Sequence, residues 1–156
     1  MPEYCYKHPH PAVTTDCVVF GRDGDSLKVL LIERGNEPFK GKWAFPGGFM
    51  NIDETAEECA RRELFEETGL DCPCLTQFHA FTDVGRDPRE RVISIAYYAF
   101  TDISEVRGGD DAAKARWFPI DNLPELAFDH AKILNMALEH IGQMKVCQNF
   151  HFGTTP

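Results

Sequence analysis

At 156 residues, 43% of them hydrophobic, the chain can bury one proper core and does not depend on disulfide staples. Its formal charge of −9, from 16 Lys and Arg against 25 Asp and Glu, provides no dense basic stripe, which excludes nucleic acid as the main partner. No apolar run approaches the roughly 18–20 residues of a bilayer span, so no membrane partner is expected; a small anionic ligand stays admissible if a divalent cation bridges it to acidic side chains.

Residues 1–12 are polar and proline-broken, unlike a secretory leader, and read as an N-terminal arm in which His8 and His10 are solvated. Segments 13–20 (VTTDCVVF) and 27–33 (LKVLLIE) are β-branched apolar runs around a Gly/Asp turn at 21–25, which predicts a hairpin. Segment 43–50 (WAFPGGFM) starts as a short strand, and its Pro-Gly-Gly forces a bend where the backbone comes close to something. Thr55 and Glu58 have capping-box spacing, residues 56–68 contain no Gly or Pro, and Gly69 occupies the C-cap position, which predicts a helix over 56–68.

Segments 75–83 and 91–101 are two more strands joined by a polar loop at 84–90, and 115–119 is a short strand after a Gly/Asp loop. Ile133, Leu134, Ala137, Leu138 and Ile141 have helical spacing over 129–141, with Asp129 or its neighbour as the cap. The tail, 142–156, reads as an edge strand at 148–152, a dimer contact or a loose end. Strands dominate and the two helices are far apart in sequence, so 13–141 is expected to form one α/β domain with a curved mixed sheet between helices. The six cysteines lack the spacing of a disulfide framework or a zinc site, which points to reduced thiols in a cytoplasm.

The chemistry concentrates in residues 48–70. Glu63, Glu66 and Glu67 stand at i, i+3 and i+4 and share one helix face, where like charges cost a few tenths of a kcal/mol per pair. A solvated acidic face is one reading. The other is an oxygen-ligand site for Mg²⁺ or Mn²⁺, and it gains weight from the glycine bend just before the helix, because Gly48 leaves its carbonyl open to metal or phosphate.

Gly48, five residues, Glu54, seven residues, Arg62-Glu63-Leu64, one residue, Glu66-Glu67, one residue and Gly69-Leu70 resemble the Nudix box in every defined position. WAFPGG before the box and RWFP after it extend the resemblance over roughly 13–141. It implies the α/β/α Nudix sandwich and an enzyme that hydrolyses phosphoanhydrides with Mg²⁺, for which Mn²⁺ can substitute. Glu66 and Glu67 would be the principal metal ligands, with the Gly48 carbonyl and Glu63 in the same shell, and Arg62 would hold a box carboxylate in place. The general base would be Glu63 or a loop carboxylate among Glu105, Asp110 and Asp111.

GRDPR before VISIAY, and GDDA before RWFP, resemble the ADP-ribose pyrophosphatase branch and also the sensor domains of Nudix-related transcriptional regulators. That resemblance implies a small nucleotide substrate, ADP-ribose cleaved to AMP and ribose 5-phosphate; Arg34, Arg86 and Arg89 can supply cations for its phosphate oxygens, and Trp43 and Asp111 are further candidate substrate contacts. Lys42 is a further cation within reach, while Arg86 and Arg89 can equally be turn residues paired with Asp87 and Glu90. Phe39, Trp43, Phe81 and Tyr97 are either adenine-stacking or core aromatics. Cleavage of a nucleoside triphosphate and non-catalytic sensing of ADP-ribose are the rival functions, and a homodimer is left open.

Overall fold

A computed structural model describes residues 3–72, 74–103, 106, 108 and 112–151, with the backbone alone for 112, 113 and 143–151. Strand β1 (Ala12–Asp23) turns at Gly24 into β2 (Ser26–Arg34), and the two pair antiparallel as the hairpin expected from their turn residues. Two short strands follow, β3 (Trp43–Ala44) on β2 and β4 (Gly47–Phe49) on β1, with Phe45 and Pro46 carrying the chain between them. Helix α1 (Ala56–Thr68) leads to β5 (Thr76–Phe81), β6 (Val92–Phe100), β7 (Ala112–Pro119) and α2 (His130–His151).

The sheet runs β3-β2-β1-β6-β5, with β4 also on β1 and β7 on β2. It is mixed: β1 and β6 are parallel over nine residue pairs from Ala12↔Val92 to Phe20↔Phe100, and the other pairings are antiparallel. Strand β1 lies at the centre and is buried from Thr14 to Gly21 without a break. Within it, Cys17 to Phe20 form the continuous apolar run that a strand covered on both faces favours.

Alternation along β1 divides the interior. Val18 and Phe20 join Phe45, Tyr98, Ile133, Leu134, Ala137 and Ile141 in a core under α2, whereas Cys17 and Val19 join Leu30, Ala60, Leu64 and Tyr97 under α1. Helices therefore cover both faces, giving the α/β/α sandwich expected from the element order. Burying a side chain such as Leu64 or Ile133 contributes about 1.5–3 kcal/mol, so each helix is anchored by its apolar stripe and not by propensity.

The start of α1 follows its sequence closely. Thr55 accepts from the Glu58 amide, the Glu58 carboxylate accepts from the Thr55 amide, and Gly69 ends the helix in the left-handed region at φ 76°. One expectation is corrected: 148–151 is not an edge strand but part of α2, which continues through His151; residue 152 lies outside the described residues. Asp129 immediately precedes α2, its carbonyl accepting from the Lys132 and Ile133 amides, and its carboxylate receives both Nε (2.9 Å) and Nη2 (2.7 Å) of Arg86. Among the described residues, no helix is long and apolar enough to cross a membrane.

Candidate active site

The β3–β4 bend, the face of α1 that carries Arg62, Glu63 and Glu67, and the corner before α2 meet around a cavity of about 390 Å³. Ligand pockets run from roughly 300 to 1,000 Å³, so a nucleotide-sized ligand is within scale. One wall is acidic, with Glu63 and Glu67 from α1 and Asp16 from β1. The other carries Arg34, Arg86, Arg89, Phe49 and Phe128.

Arg62 organises the acidic wall. Its Nη2 (2.6 Å) and Nε (3.0 Å) donate to the two Glu54 oxygens, and its Nη1 donates to Glu63 at 2.7 Å and to Glu66 at 3.3 Å. It also donates to the Phe49 carbonyl at 3.2 Å, tying α1 to the strand that carries Gly48. This guanidinium holds the Glu54 carboxyl at about 2, well below the usual carboxylate range. Arg62 thus contacts three carboxylates of the box segment, Glu54, Glu63 and Glu66.

Glu67 has the opposite environment. Burial, followed by the neighbouring charges of Glu63 and Asp16, pushes its carboxyl far above the ordinary value, against a backbone hydrogen bond from Gly47. Its Oε2 is buried without a hydrogen-bond partner. Glu66 points elsewhere: its side chain is 56% exposed, is paired with Arg62 and does not line the cavity. Helix geometry explains the split, since i and i+4 lie about 40° apart around the axis while i+3 falls on the other side. Among the described residues, no three His, Cys, Asp or Glu side chains are gathered in metal-binding geometry.

Both bend glycines are required, for different reasons. A Cβ on Gly48 would lie 2.5 Å from the Glu63 carboxyl carbon, and one on Gly47 would lie 2.0 Å from the Thr15 carbonyl oxygen. Gly48→Ala is therefore expected to fold normally, because the Glu63 side chain can swing away, but to lose about tenfold or more in turnover as that carboxylate moves. Gly47→Ala must push apart β1 and β4 and should lower the melting temperature. Equal melting temperatures for the two variants would contradict this reading.

On the basic wall, Phe128 adopts φ 49°, a sparsely populated region for a residue with a side chain. Its ring is flanked by the guanidinium of Arg34 at 4.9 Å and of Arg89 at 5.4 Å, and Arg89 also covers Phe49 at 4.9 Å. Arg89 is held by Asp87 through Nε (3.0 Å) and Nη2 (2.7 Å). Burial, and then the charge of Arg89, pull the Arg34 guanidinium below its ordinary value, so an anion in the cavity would relieve both. Arg86 is only 4% exposed and spends its guanidinium on Asp129, which makes it a staple between the 84–90 loop and α2.

Several anticipated contacts lie elsewhere. Trp43 packs edge-to-face on Phe118 at 4.8 Å and Phe39 on Phe128 at 4.7 Å, and neither lines the cavity. Phe81 and Tyr97 are core residues. Lys42 pairs with Glu125. Asp111, Glu105 and Asp110 lie outside the described residues. Conversely, Phe49, Phe128, Asp16 and His130 line the cavity unanticipated. Asp16 carried a signal, since a charged residue inside an apolar central strand needs buried partners; the others carried none.

Residues 10–137 match the family model described as the NUDIX domain. The chain belongs to the Nudix family. This Nudix protein is 46% identical over 125 residues to the ADP-ribose pyrophosphatase of Methanocaldococcus jannaschii, across 80% of its own length and 72% of the relative's. It is 33% identical over 139 residues to the ADPR responsive transcriptional repressor NtrR of Acinetobacter baylyi, covering 86% of this chain but 56% of the repressor. Among solved structures it resembles the NUDIX domain of Shewanella oneidensis NrtR complexed with ADP ribose, with TM-score 0.81 and 30% identity over 86% of this chain and 90% of that one. A bifunctional NMN adenylyltransferase/ADP ribose pyrophosphatase from Francisella tularensis, complexed with AMP and a Mn ion, gives TM-score 0.75 and 27% identity over 86% of this chain and 43% of that one.

Proposed function

We infer that this Nudix protein hydrolyses the diphosphate of ADP-ribose to AMP and ribose 5-phosphate, using Mg²⁺, with Mn²⁺ able to replace it. One observation carries the reading: two largely enclosed carboxylates, Glu63 and Glu67, and two arginines stacked on Phe128 line one nucleotide-sized cavity. The relatives named for ADP-ribose support the choice of substrate.

The residues fit a divalent cation. The unpartnered Glu67 Oε2, the raised proton affinity of its carboxyl and the Gly48 carbonyl form an all-oxygen, anionic donor set. Glu63, Glu67 and the Gly48 carbonyl would hold the ion, with Glu66 joining them on turning inward from Arg62; when bound, the ion neutralises developing charge on the phosphate oxygens and acidifies water. In the hydrolysis, the water oxygen bonds to phosphorus, the bridging oxygen leaves with the other phosphoryl group, and a carboxylate takes the released proton. In this reading Glu63, paired with Arg62, takes that proton. Arg34 and Arg89 receive phosphate oxygens, and the faces of Phe49 and Phe128 are available to the nucleoside. Free thiols at Cys5, Cys17, Cys59, Cys72 and Cys74 fit a reducing cytoplasm.

Turnover of ADP-ribose, a nucleotide sugar, a dinucleoside polyphosphate and oxidised dGTP with Mg²⁺ tests the assignment. Faster cleavage of the triphosphate would defeat it, and tight ADP-ribose binding without turnover would favour the sensor reading suggested by the repressor relative. Arg89→Ala should raise KM for ADP-ribose about tenfold with kcat nearly preserved, the signature of lost ground-state binding worth roughly 1.4 kcal/mol. An unchanged KM would confine Arg89 to its pair with Asp87.

A further inference from the structure

Asp16 lies in mid-β1, buried, with its carboxylate at the cavity floor. Its Oδ2 accepts a hydrogen bond from the Ser94 hydroxyl on β6, and its Oδ1 lies 3.5 Å from His130 Nε2. The other ring nitrogen of His130, Nδ1, accepts from the Phe45 amide at 3.0 Å. An accepting Nδ1 places the ring proton on Nε2, where it faces Asp16. Burial disfavours a second proton on this ring.

These contacts converge on residues 45–48. Phe45 is held by His130, the Pro46 carbonyl accepts from the Cys17 amide at 2.8 Å, and Gly47 pairs with Asp16, so closely that a Cβ there would lie 2.8 Å from Oδ1. The Gly47 amide in turn bonds the Glu67 carboxylate, and the Gly48 carbonyl follows it. We propose that Asp16 and His130 are a positioning pair for the hydrolysis, fixing the 45–48 bend and, through it, the Glu67 carboxylate and the Gly48 carbonyl. Asp16 Oδ2 is engaged by Ser94 and Oδ1 faces His130, so this carboxylate is tied to the elements on either side of the bend and acts through them. The inference rests on the proposed function of the cavity and adds a link from the first turn of α2 to the carboxylates of α1.

The test uses the full chain with ADP-ribose and Mg²⁺, together with Mn²⁺ binding followed by electron paramagnetic resonance. His130→Asn places an amide oxygen near the Nδ1 position and keeps the Phe45 bond; His130→Gln places an amide nitrogen near Nε2 and keeps only the Asp16 bond. The Gln variant should lose about 10–100-fold in kcat and in Mn²⁺ affinity with KM little changed, while the Asn variant recovers a large part of both. Asp16→Asn, which keeps an acceptor for His130 without the charge, should fall less than about tenfold in kcat, and Asp16→Ala about a hundredfold. Equal losses for Asn and Gln at position 130, wild-type Mn²⁺ affinity in the Gln variant, or an Asp16→Asn variant as inactive as Asp16→Ala would overturn the proposal. Circular dichroism identifies any variant that fails to fold, and the Asn/Gln comparison then decides. A wild-type protein without turnover would defeat the functional reading instead, leaving the pair to be judged on Mn²⁺ affinity alone.

Discussion

Glu67→Gln is expected to cut ADP-ribose turnover about a thousandfold, equivalent to roughly 4 kcal/mol of lost transition-state stabilisation, at an unchanged far-ultraviolet circular dichroism spectrum. The substitution keeps the side-chain volume and removes the charge of a carboxylate whose Oε2 is buried without a hydrogen-bond partner. The same change should stabilise the metal-free protein. The folded-state value of Glu67 is raised above its unfolded value by burial, then by Glu63 and Asp16, so the native state holds the proton more tightly than the unfolded chain. Between the ordinary carboxylate value and the raised one, stability therefore falls as pH increases, and below that window the effect vanishes. Glutamine does not titrate, so the melting-temperature advantage of Glu67→Gln without metal should grow from acid to neutral pH. A variant that keeps wild-type turnover would remove Glu67 from the mechanism, and one that melts below wild type at neutral pH would contradict the burial argument.

Arg62→Met should fail differently, losing both activity and stability. It strips Glu54, Glu63 and Glu66 of their common cation and releases the Phe49 carbonyl. Breaking a fully buried pair costs about 3–5 kcal/mol, and at 28% exposure Arg62 should fall nearer 2–3 kcal/mol. The pH dependence has the opposite sign to that of Glu67. Glu54 is held at about 2 by Arg62, so its contribution is present above the ordinary carboxylate value and is lost as pH falls toward 2. Wild type and variant should converge in denaturant midpoint over that range, and a gap that persists at pH 2 would argue for a cost in packing alone. Turnover within a few fold of wild type would show that Glu63 needs no such anchor.

The contrast between these two residues explains what was legible in advance. Glu67, Arg62 and Gly48 belong to one contiguous segment, where capping spacing, helical period and the glycine bend are local properties of the chain. Helix α1 matches its expected limits at both ends for that reason, and β1 and β2 do so nearly as well because burial on both faces leaves a continuous apolar run. Glu66 shows the limit of the argument. Spacing put it on the same helix face as Glu63 and Glu67, but the i+3 position falls on the opposite side of Glu63 from Glu67, where its side chain is 56% exposed and outside the cavity.

The substrate wall was less legible, because its parts come from distant segments and take their roles from one another. Arg86 and Arg89 stand three residues apart in one polar loop, yet one is buried against Asp129 and the other stacks on Phe49 and Phe128. Trp43 and Tyr97 read as plausible stacking residues and are packing residues, because the period of a strand does not say which face meets a ligand.

Residue order alone thus established the hairpin and the capped acidic helix with its clustered carboxylates, since each depends on neighbours within one turn or one strand. Only the folded chain decided that Phe128 lies between two arginines and that Asp16 meets His130 across 114 positions of sequence, because pairing between remote segments follows from how the sheet and α2 pack, and no local pattern encodes it.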